Sequence, residues 1–379
     1  TATLNGGTLR FISTTGAEGS GGTFLTATGG LTGTFATVET VGAQLPLAVI
    51  YQPTAGLMAP SVLTARPSTF NAQSLAAADT ALGFIDSLGL ADQRHGRGNR
   101  VWMSGFGSWA DRNASGSTLA YSHDTYGLGG GVNLAASESL TLGAALGWAS
   151  GDITLASNGG RGDQSNVLGA LHATWSGPGM TLGGGVVYGH ISQDTVRNVS
   201  FNGFAASVAG STSSQIYGGF AELAVPLVAG DSWSIAASGR SSYVHQSQNG
   251  YTESSDSPLR LSVGQVGTST VEGQALVTAR ASLFDGAFRV DEAPGGIDLT
   301  FDLGLRYLAA LGDRAIPVTF ASSNAGVILQ GDTRDGVQGI AGLGLSYTAA
   351  NNLNVQVGYR AELGQRDNRQ IRATVSLGF

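Results

Sequence analysis

Few side chains in this sequence stand in a pattern that could carry out catalysis. The chain has no cysteine, which excludes thiolate nucleophiles, cysteine-ligated zinc and disulfides. The motifs GxSxG, HExxH and GxxxxGKS/T are also missing from the sequence. Two of the five histidines have a neighbour suited to acid–base chemistry, His190 with Asp194 and His245 with Ser247. We favour ordinary hydrogen-bond networks for both pairs and predict that the chain is not an enzyme, with no cofactor and no metal site.

Composition excludes several classes of protein before any element is placed. The net charge is −7, and nucleic acid is an unsuitable partner because phosphate binding needs a basic surface. Charged residues make up only 12% of the chain, and the mean hydropathy is +0.09. No run of about 18 apolar residues is present, which excludes a transmembrane helix. A transmembrane β-barrel fits, because its strands alternate apolar and polar residues and are only mildly hydrophobic overall.

Alternation with a period of two runs from about residue 100 to the last residue. It is clearest in residues 297–309, 353–363 and 371–379, where apolar side chains occupy the odd positions. Twelve such segments can be counted, an even number, as bacterial single-chain barrels usually have. They are 100–111, 121–136, 139–153, 164–176, 179–193, 213–226, 232–246, 266–284, 297–310, 334–348, 352–363 and 368–379. The sequence therefore predicts an all-β membrane protein, a 12-stranded antiparallel barrel.

The connections between these segments differ in length. Residues 194–212, 247–265 and 311–333 read as long loops, whereas 349–351 and 364–367 are short. We therefore expect long loops at one end of the barrel and short turns at the other.

Charged residues in the strands predict which face lines the pore. A charge facing lipid would cost about 2–4 kcal/mol near the middle of the membrane, so charges should point inward. The predicted pore-lining charges are Glu222, Arg240, Glu272, Arg280, Asp302, Arg306, Arg360, Glu362 and Arg372. Both signs occur, which indicates ion pairs within a hydrated lumen. Only the first strand is ambiguous, since large side chains fall on both faces: Trp102 and Phe106 on one, Val101, Met103 and Trp109 on the other.

A helix is predicted over residues 67–92, with Ser68 as its N-cap and Gly89 as its C-terminal cap. Its length is about 30 Å, that of a bilayer core, but its polar face could not touch lipid. It could span a membrane only inside a water-filled lumen. The site residues predicted on this lumenal helix are Phe70, Leu75, Leu82, Phe84 and Ile85. Residues 1–66 are short apolar segments set in Gly and Thr, which is typical of a β-helix-like cap.

The order of these parts resembles the C-terminal translocator unit of classical (type Va) autotransporters. Residues 30–38 resemble the end of an autotransporter passenger, and residues 47–57 the extended segment after it. Residues 190–204 are similar to a stretch at the fifth barrel strand and its loop. Residues 243–245, followed by 250–253, are similar to another family stretch.

The resemblance implies an outer-membrane translocator that anchors its N-terminal passenger and helps to export it. Residues 1–66 would be the end of the passenger at the cell surface, 67–92 the linker helix and 93–379 the barrel. The implied partners are outer-membrane lipid, periplasmic chaperones, the barrel-assembly machinery and the chain's own passenger, with a monomeric barrel. Val375, Leu377 and Phe379 would form the signal read by the assembly machinery.

Some members of the resembled family cut themselves within the lumenal helix by cyclisation of an asparagine. Asn71-Ala72 is the corresponding candidate here. It lies far from the first strand, and we favour an ordinary polar residue in the first helical turn. Three alternatives remain: an outer-membrane pore, which has no use for the helix; a barrel hydrolase, which needs a dyad at the rim; and a soluble adhesin, which needs no lipid-facing band.

Overall fold

A computed structural model describes residues 1–12, 22–41, 47–60, 67–88, 99–114, 119–201, 204–257, 259–290, 293–312, 315–320, 326–331, 336–349, 351–364 and 366–379. The elements are β1 Ala2–Asn5, β2 Thr8–Ile12, β3 Gly22–Thr26, β4 Leu31–Thr34, β5 Thr37–Val41, β6 Leu47–Gln52, β7 Ala55–Pro60, α1 Pro67–Ser87, β8 Arg100–Arg112, β9 Tyr121–Ala135, β10 Leu140–Leu155, β11 Gly160–Gly177, β12 Met180–Phe201, β13 Phe204–Ala229, β14 Trp233–Gln248, β15 Tyr251–Thr252, β16 Leu261–Val263, β17 Val266–Val290, β18 Ala293–Leu311, β19 Ala315–Phe320, β20 Gly326–Gln330, β21 Gly336–Thr348, β22 Leu353–Leu363 and β23 Arg366–Gly378.

Twelve antiparallel strands form a closed barrel, which confirms the predicted fold. Its order is β8-β9-β10-β11-β12-β13-β14-β17-β18-β21-β22-β23, and β23 pairs with β8 to close the ring. Closure gives each of these twelve strands a hydrogen-bonded neighbour on both sides within the ring. The structure also shows which face of β8 points outward. Met103 faces outward and is 61% exposed, whereas Trp102 faces the lumen and is 8% exposed. Among the described residues, no helix combines the length and apolar character needed to cross a membrane.

The two ends of the barrel differ largely as the sequence suggested, with two exceptions at the end that carries the long connections. Residues 194–212 are not a long loop: β12 and β13 continue as a paired hairpin from Arg197–Val208 up to Phe201–Phe204. Polar and small side chains in this stretch gave it the composition of a loop, although the backbone hydrogen bonds of the ladder persist. The short connection between β22 and β23 lies at the same end as the long loops, which we call the loop end. The opposite end, where β9 turns into β10, β11 into β12 and β21 into β22, is called the turn end.

Helix α1 lies in the lumen, against the wall formed by β9 to β14. It begins at Pro67, so Ser68 belongs to its first turn and is not the N-cap. The Ser68 hydroxyl instead accepts a hydrogen bond from the backbone N–H of Leu119, at the loop end, at 2.9 Å. Residues 89–92 of the predicted segment, with the expected cap Gly89, lie outside the described residues.

Within the part of the chain that the structure describes, four small sheets lie outside the barrel: one of four strands, one of three and two of two. The four-stranded loop sheet has the order β15-β16-β19-β20 and is built from the connections that follow β14 and β18. Near the N-terminus, β1 pairs with β4 and β2 with β5, both in parallel and both offset by 29 residues. Such an offset is the geometry of successive coils of a β-solenoid. The antiparallel hairpin β6–β7 pairs with β3 through β7.

Candidate functional site

The lumen is the candidate site because nearly all of α1 is buried there. Glycines of the barrel wall make room for its largest side chain. A Cβ added to Gly147 would lie 2.5 Å from a ring carbon of Phe84, and one added to Gly129 would lie 3.4 Å away. On the other side of the helix, a Cβ added to Gly83 would meet no atom within 4 Å. The helix therefore packs tightly on one wall and loosely on the opposite side.

All five predicted helix residues are buried, in three separate apolar clusters. Leu82, Phe84 and Ile85 share a core with inward-facing residues of the barrel. Leu75 packs with Tyr121 and Ile153 nearer the loop end. Phe70 belongs to a third cluster that includes residues of the loop sheet.

Uncharged polar groups hold the first half of α1. Gln193 Nε2 donates to the carbonyl oxygen of Gln73 at 3.3 Å, and Ser74 Oγ donates to Gln246 Oε1, also at 3.3 Å. Further along, Gln164 Nε2 donates to Thr80 Oγ1 at 3.1 Å. Each of these neutral contacts contributes about 0.5–1.5 kcal/mol net.

The last turn of α1 is held by charge. Asp86 forms an ion pair with Arg240 through Oδ1, and its Oδ2 lies 3.6 Å from Arg360 Nη1. Arg372 Nη1 donates to the backbone carbonyl of Asp86 at 2.7 Å. The carboxylate is nearly inaccessible to solvent, with a side-chain exposure of 4%. One helical residue is thus bound to three arginines from three strands.

The ion pairs extend from Asp86 across the barrel. Arg240 donates to Glu272 Oε1 at 2.8 Å, and Arg306 Nε donates to the other oxygen of Glu272 at 2.7 Å. The same Arg306 donates through Nη1 to Glu362 at 2.8 Å. Acidic and basic side chains alternate along this network of ion pairs, so each buried charge lies next to charges of the opposite sign, as burial requires. Removing one member of a buried pair typically costs about 3–5 kcal/mol, because the partner stays buried and unpaired.

The remaining predicted pore charges lie between the last turn of the helix and the turn end of the barrel. Glu222, Arg280 and Asp302 line a cavity of about 250 Å³ toward the turn end of the lumen. Asp302 also accepts a hydrogen bond from Thr278 Oγ1 at 2.6 Å. All nine predicted residues thus face the lumen, but only some of them touch the helix.

Asp86 is the residue that sequence reasoning missed. The nine predicted pore charges comprise five arginines and four carboxylates, so one arginine had no counter-charge on the strands. Asp79 and Asp86, the two acidic residues of an otherwise uncharged helix expected inside that lumen, were the available signal.

The histidine pairs do not form catalytic dyads. His190 and Asp194 point to the same side of β12 four residues apart, which is about 13 Å along a strand. His245 pairs with Ser269, not Ser247: its Nδ1 lies 2.8 Å from Ser269 Oγ on the outer wall, beside the ring of Tyr217. No group of His, Cys, Asp or Glu suited to a metal ion occurs among the described residues.

Two further predicted sites lie at the end of the last strand and in the first turns of α1. Val375, Leu377 and Phe379 point outward at the end of the closing strand, and the N–H of Phe379 donates to the carbonyl of Asn99 at 2.9 Å. Asn71 and Ala72 are buried near the loop end. Among the described residues, Asn71 Nδ2 has no hydrogen-bond partner.

The family is decided by a comparison with protein-family models. The model described as the autotransporter beta-domain matches residues 101–360, more than half of the chain. The chain belongs to the autotransporter β-domain family. Membership confirms the resemblance to type Va autotransporters, and makes this barrel an outer-membrane translocator unit for passenger export.

Solved autotransporter barrels share this fold. The chain is similar to the translocator domain of the autotransporter NalP from Neisseria meningitidis, with a TM-score of 0.65 and 18% identity, covering 82% of this chain and 99% of that one. It is also similar to the beta domain of the Bordetella autotransporter BrkA, with a TM-score of 0.53 and 14% identity, covering 74% and 100%. No curated protein sequence matches the chain. Because the identities are low, these two likenesses concern the fold of the autotransporter barrel.

Proposed function

We propose that this autotransporter barrel keeps its exported passenger attached through α1, which stays in the lumen as a plug. In this proposal residues 1–66 are the end of the passenger at the cell surface, 67–92 the linker and 93–379 the translocator. The supporting observation is the ion-pair cluster around Asp86, because it fixes the last helical turn to three strands. A linker held in this way closes the lumen and ties the passenger to the membrane.

The direction of the chain supports the assignment of the cell surface. Helix α1 enters the lumen at the loop end, and long loops face outward in outer-membrane barrels. During export the passenger would pass as an extended chain or hairpin, because a twelve-stranded lumen is narrow. Folding of the β-rich base outside would then oppose backward movement without ATP.

We further propose that α1 is not cut. Cyclisation of an asparagine needs an acid–base group close to the side chain. The described side chains around the small cavity next to Asn71 are uncharged: Phe70, Ser74, Gln248, Val266, Thr268 and Ile316. The buried amide therefore has no carboxylate beside it in this cavity to promote cleavage.

Partners are proposed from the same features. The outward-facing end of β23, including Val375 and Leu377, would carry the signal for the barrel-assembly machinery. Periplasmic chaperones would hold the chain before assembly, and the closed ring of strands fits a monomeric barrel in lipid.

Surface labelling tests this function directly. The chain has no cysteine, so Ile12→Cys, at a position 66% exposed, gives a single reactive thiol in the passenger base. On intact cells a membrane-impermeant maleimide should label it, and the label should migrate with the uncut chain that carries the barrel. Labelling only after the outer membrane is permeabilised would contradict surface exposure, and label on a fragment without the barrel would contradict retention.

A further inference from the structure

The loop sheet presents one apolar face toward the barrel mouth. Its strands come from two connections that are far apart in sequence, 249–265 and 312–335. The two faces differ strongly: Leu329 of β20 is 2% exposed, whereas its neighbour Ile328 is 64% exposed. The inward face contributes a buried set of side chains, Leu261, Val263, Ile316, Val318, Phe320 and Leu329.

Three side chains in this apolar core come from outside the barrel and its loops. Ile50 lies on β6 and Leu57 on β7, and Phe70 is in the first turn of α1. Ile50 is fully buried, and the other two are almost so. The core is therefore completed by residues of the hairpin and the linker.

A separate ion pair orders the loops without help from those residues. Arg197, on the β12 extension, donates through Nε to Glu253 Oε1 at 2.9 Å, and both side chains are 1% exposed. Arg197 also donates to the carbonyl of Leu259 at 2.9 Å, and Glu253 Oε2 accepts from the N–H of Leu261 at 2.8 Å. All four residues belong to the barrel and its loops. This connection gives the loop sheet a scaffold that does not depend on the hairpin.

We propose that the loop sheet is a docking surface for the hairpin β6–β7 of the same chain, and that docking closes the barrel mouth. The inference rests on the proposed function, because it requires residues 1–66 to reach the cell surface. When the hairpin leaves the lumen during export, Ile50 and Leu57 pack against the apolar face of the loop sheet. Their burial there removes apolar surface area from water. Docking makes the first step outside the membrane favourable and hinders return of the segment.

Two neighbouring residues of one strand give a matched test. Leu329→Asp places a charge in the docking face, whereas Ile328→Asp places the same charge on the exposed face of β20. The appearance of the passenger base at the surface is followed by pulse-chase labelling of Ile12→Cys on intact cells. Leu329→Asp should slow this step at least about tenfold, because a core aspartate is strongly disfavoured, and Ile328→Asp should leave it unchanged.

Barrel assembly is measured in parallel by heat-modifiable gel migration. With a folded barrel, equal export rates for the two variants would overturn the docking proposal and leave the proposed function intact. If Leu329→Asp prevents barrel assembly, Ile50→Asp decides the question, because it alters only the hairpin: slow export supports docking, and an unchanged rate overturns it. If the Ile12→Cys variant without any other substitution is never labelled on intact cells, the proposed function itself would be contradicted.

A second readout reports the docked state itself. Ile50→Cys should resist maleimide in the otherwise unaltered chain and react at least about tenfold faster when combined with Leu329→Asp. Ile12→Cys, in the same N-terminal region, should react equally in both backgrounds. Rapid labelling of Ile50→Cys in the otherwise unaltered chain would show that the hairpin is not docked and would overturn the proposal.

Discussion

The two ends of α1 are held in the same lumen by different chemistry. Near the loop end, Gln73, Ser74 and Thr80 make neutral hydrogen bonds to the wall. At the last turn, Asp86 binds arginines from β14, β22 and β23. Removing one partner costs about 1–3 kcal/mol for a buried neutral bond and about 3–5 kcal/mol for a buried ion pair, so the helix is most sensitive to the loss of a contact at its last turn.

Removing the carboxylate of Asp86 should have the largest effect on the plug. Asp86→Ala leaves Arg240, Arg360 and Arg372 without their shared partner in the lumen. A loss of about 3–5 kcal/mol would raise the ratio of open to closed channel at least about a hundredfold in single-channel records. Gly83→Ala is the control, because its Cβ meets no atom within 4 Å and alanine favours a helix over glycine, so it should not raise the ratio. An unchanged ratio in Asp86→Ala would show that the ion pairs do not retain the helix.

Steric pressure on the tightly packed side should have an intermediate effect. Gly147→Leu drives a side chain into Phe84, since even a Cβ would lie 2.5 Å from the ring. Overpacking of this kind costs about 1–3 kcal/mol and should lower the unfolding temperature in detergent. Gly83→Leu, on the open side, tests the asymmetry and should be milder. Adding Phe84→Ala to Gly147→Leu should restore part of the lost unfolding temperature. If it restores none, the destabilisation does not come from a clash between the introduced leucine and the Phe84 ring.

Loss of one neutral contact should have a small effect. Ser74→Ala removes the bond to Gln246 and should cost about 1 kcal/mol, a change in open-to-closed ratio of less than about tenfold. An effect as large as that of Asp86→Ala would reverse the comparison between the two halves of the helix.

Replacement of Asn71 should have no effect on processing. If the linker is not cut, Asn71→Ala and the parent chain both give one intact species of the 38.4 kDa expected for the sequence. Mass spectrometry of the purified protein measures this. A shorter barrel fragment in the parent that disappears in Asn71→Ala would establish self-cleavage.

The barrel was predictable because each strand carries its own signal. Alternation along the chain fixes which side chains face lipid, and so it placed Glu272, Arg306 and Glu362 in the lumen without knowledge of their partners. The contact of Asp86 with Arg240 was not predictable in this way. It depends on how far α1 reaches along the barrel axis relative to β14, and the sequence pattern does not contain that distance. Only the charge balance of the lumen pointed to it.

Other features failed for identifiable physical reasons. Residues 194–212 read as a loop because a strand above the membrane no longer needs an apolar outer face, yet its ladder continues to Phe201 and Phe204. The 29-residue offset between paired strands was not recognised in the sequence. The strands it relates are only four or five residues long and lie in a Gly- and Thr-rich region, so pairs such as Thr8 with Thr37 and Leu9 with Val38 do not stand out as a repeat. The loop sheet joins segments that are far apart in sequence, which no local pattern reveals.

The most direct test of the account compares single-channel conductance of the full chain with that of a chain lacking Pro67–Ser87. If α1 plugs the lumen, the full chain should show a small conductance and the deletion a large one in planar bilayers of the same lipid. Equal and large conductances in both would place the helix outside the conducting path and contradict the plug.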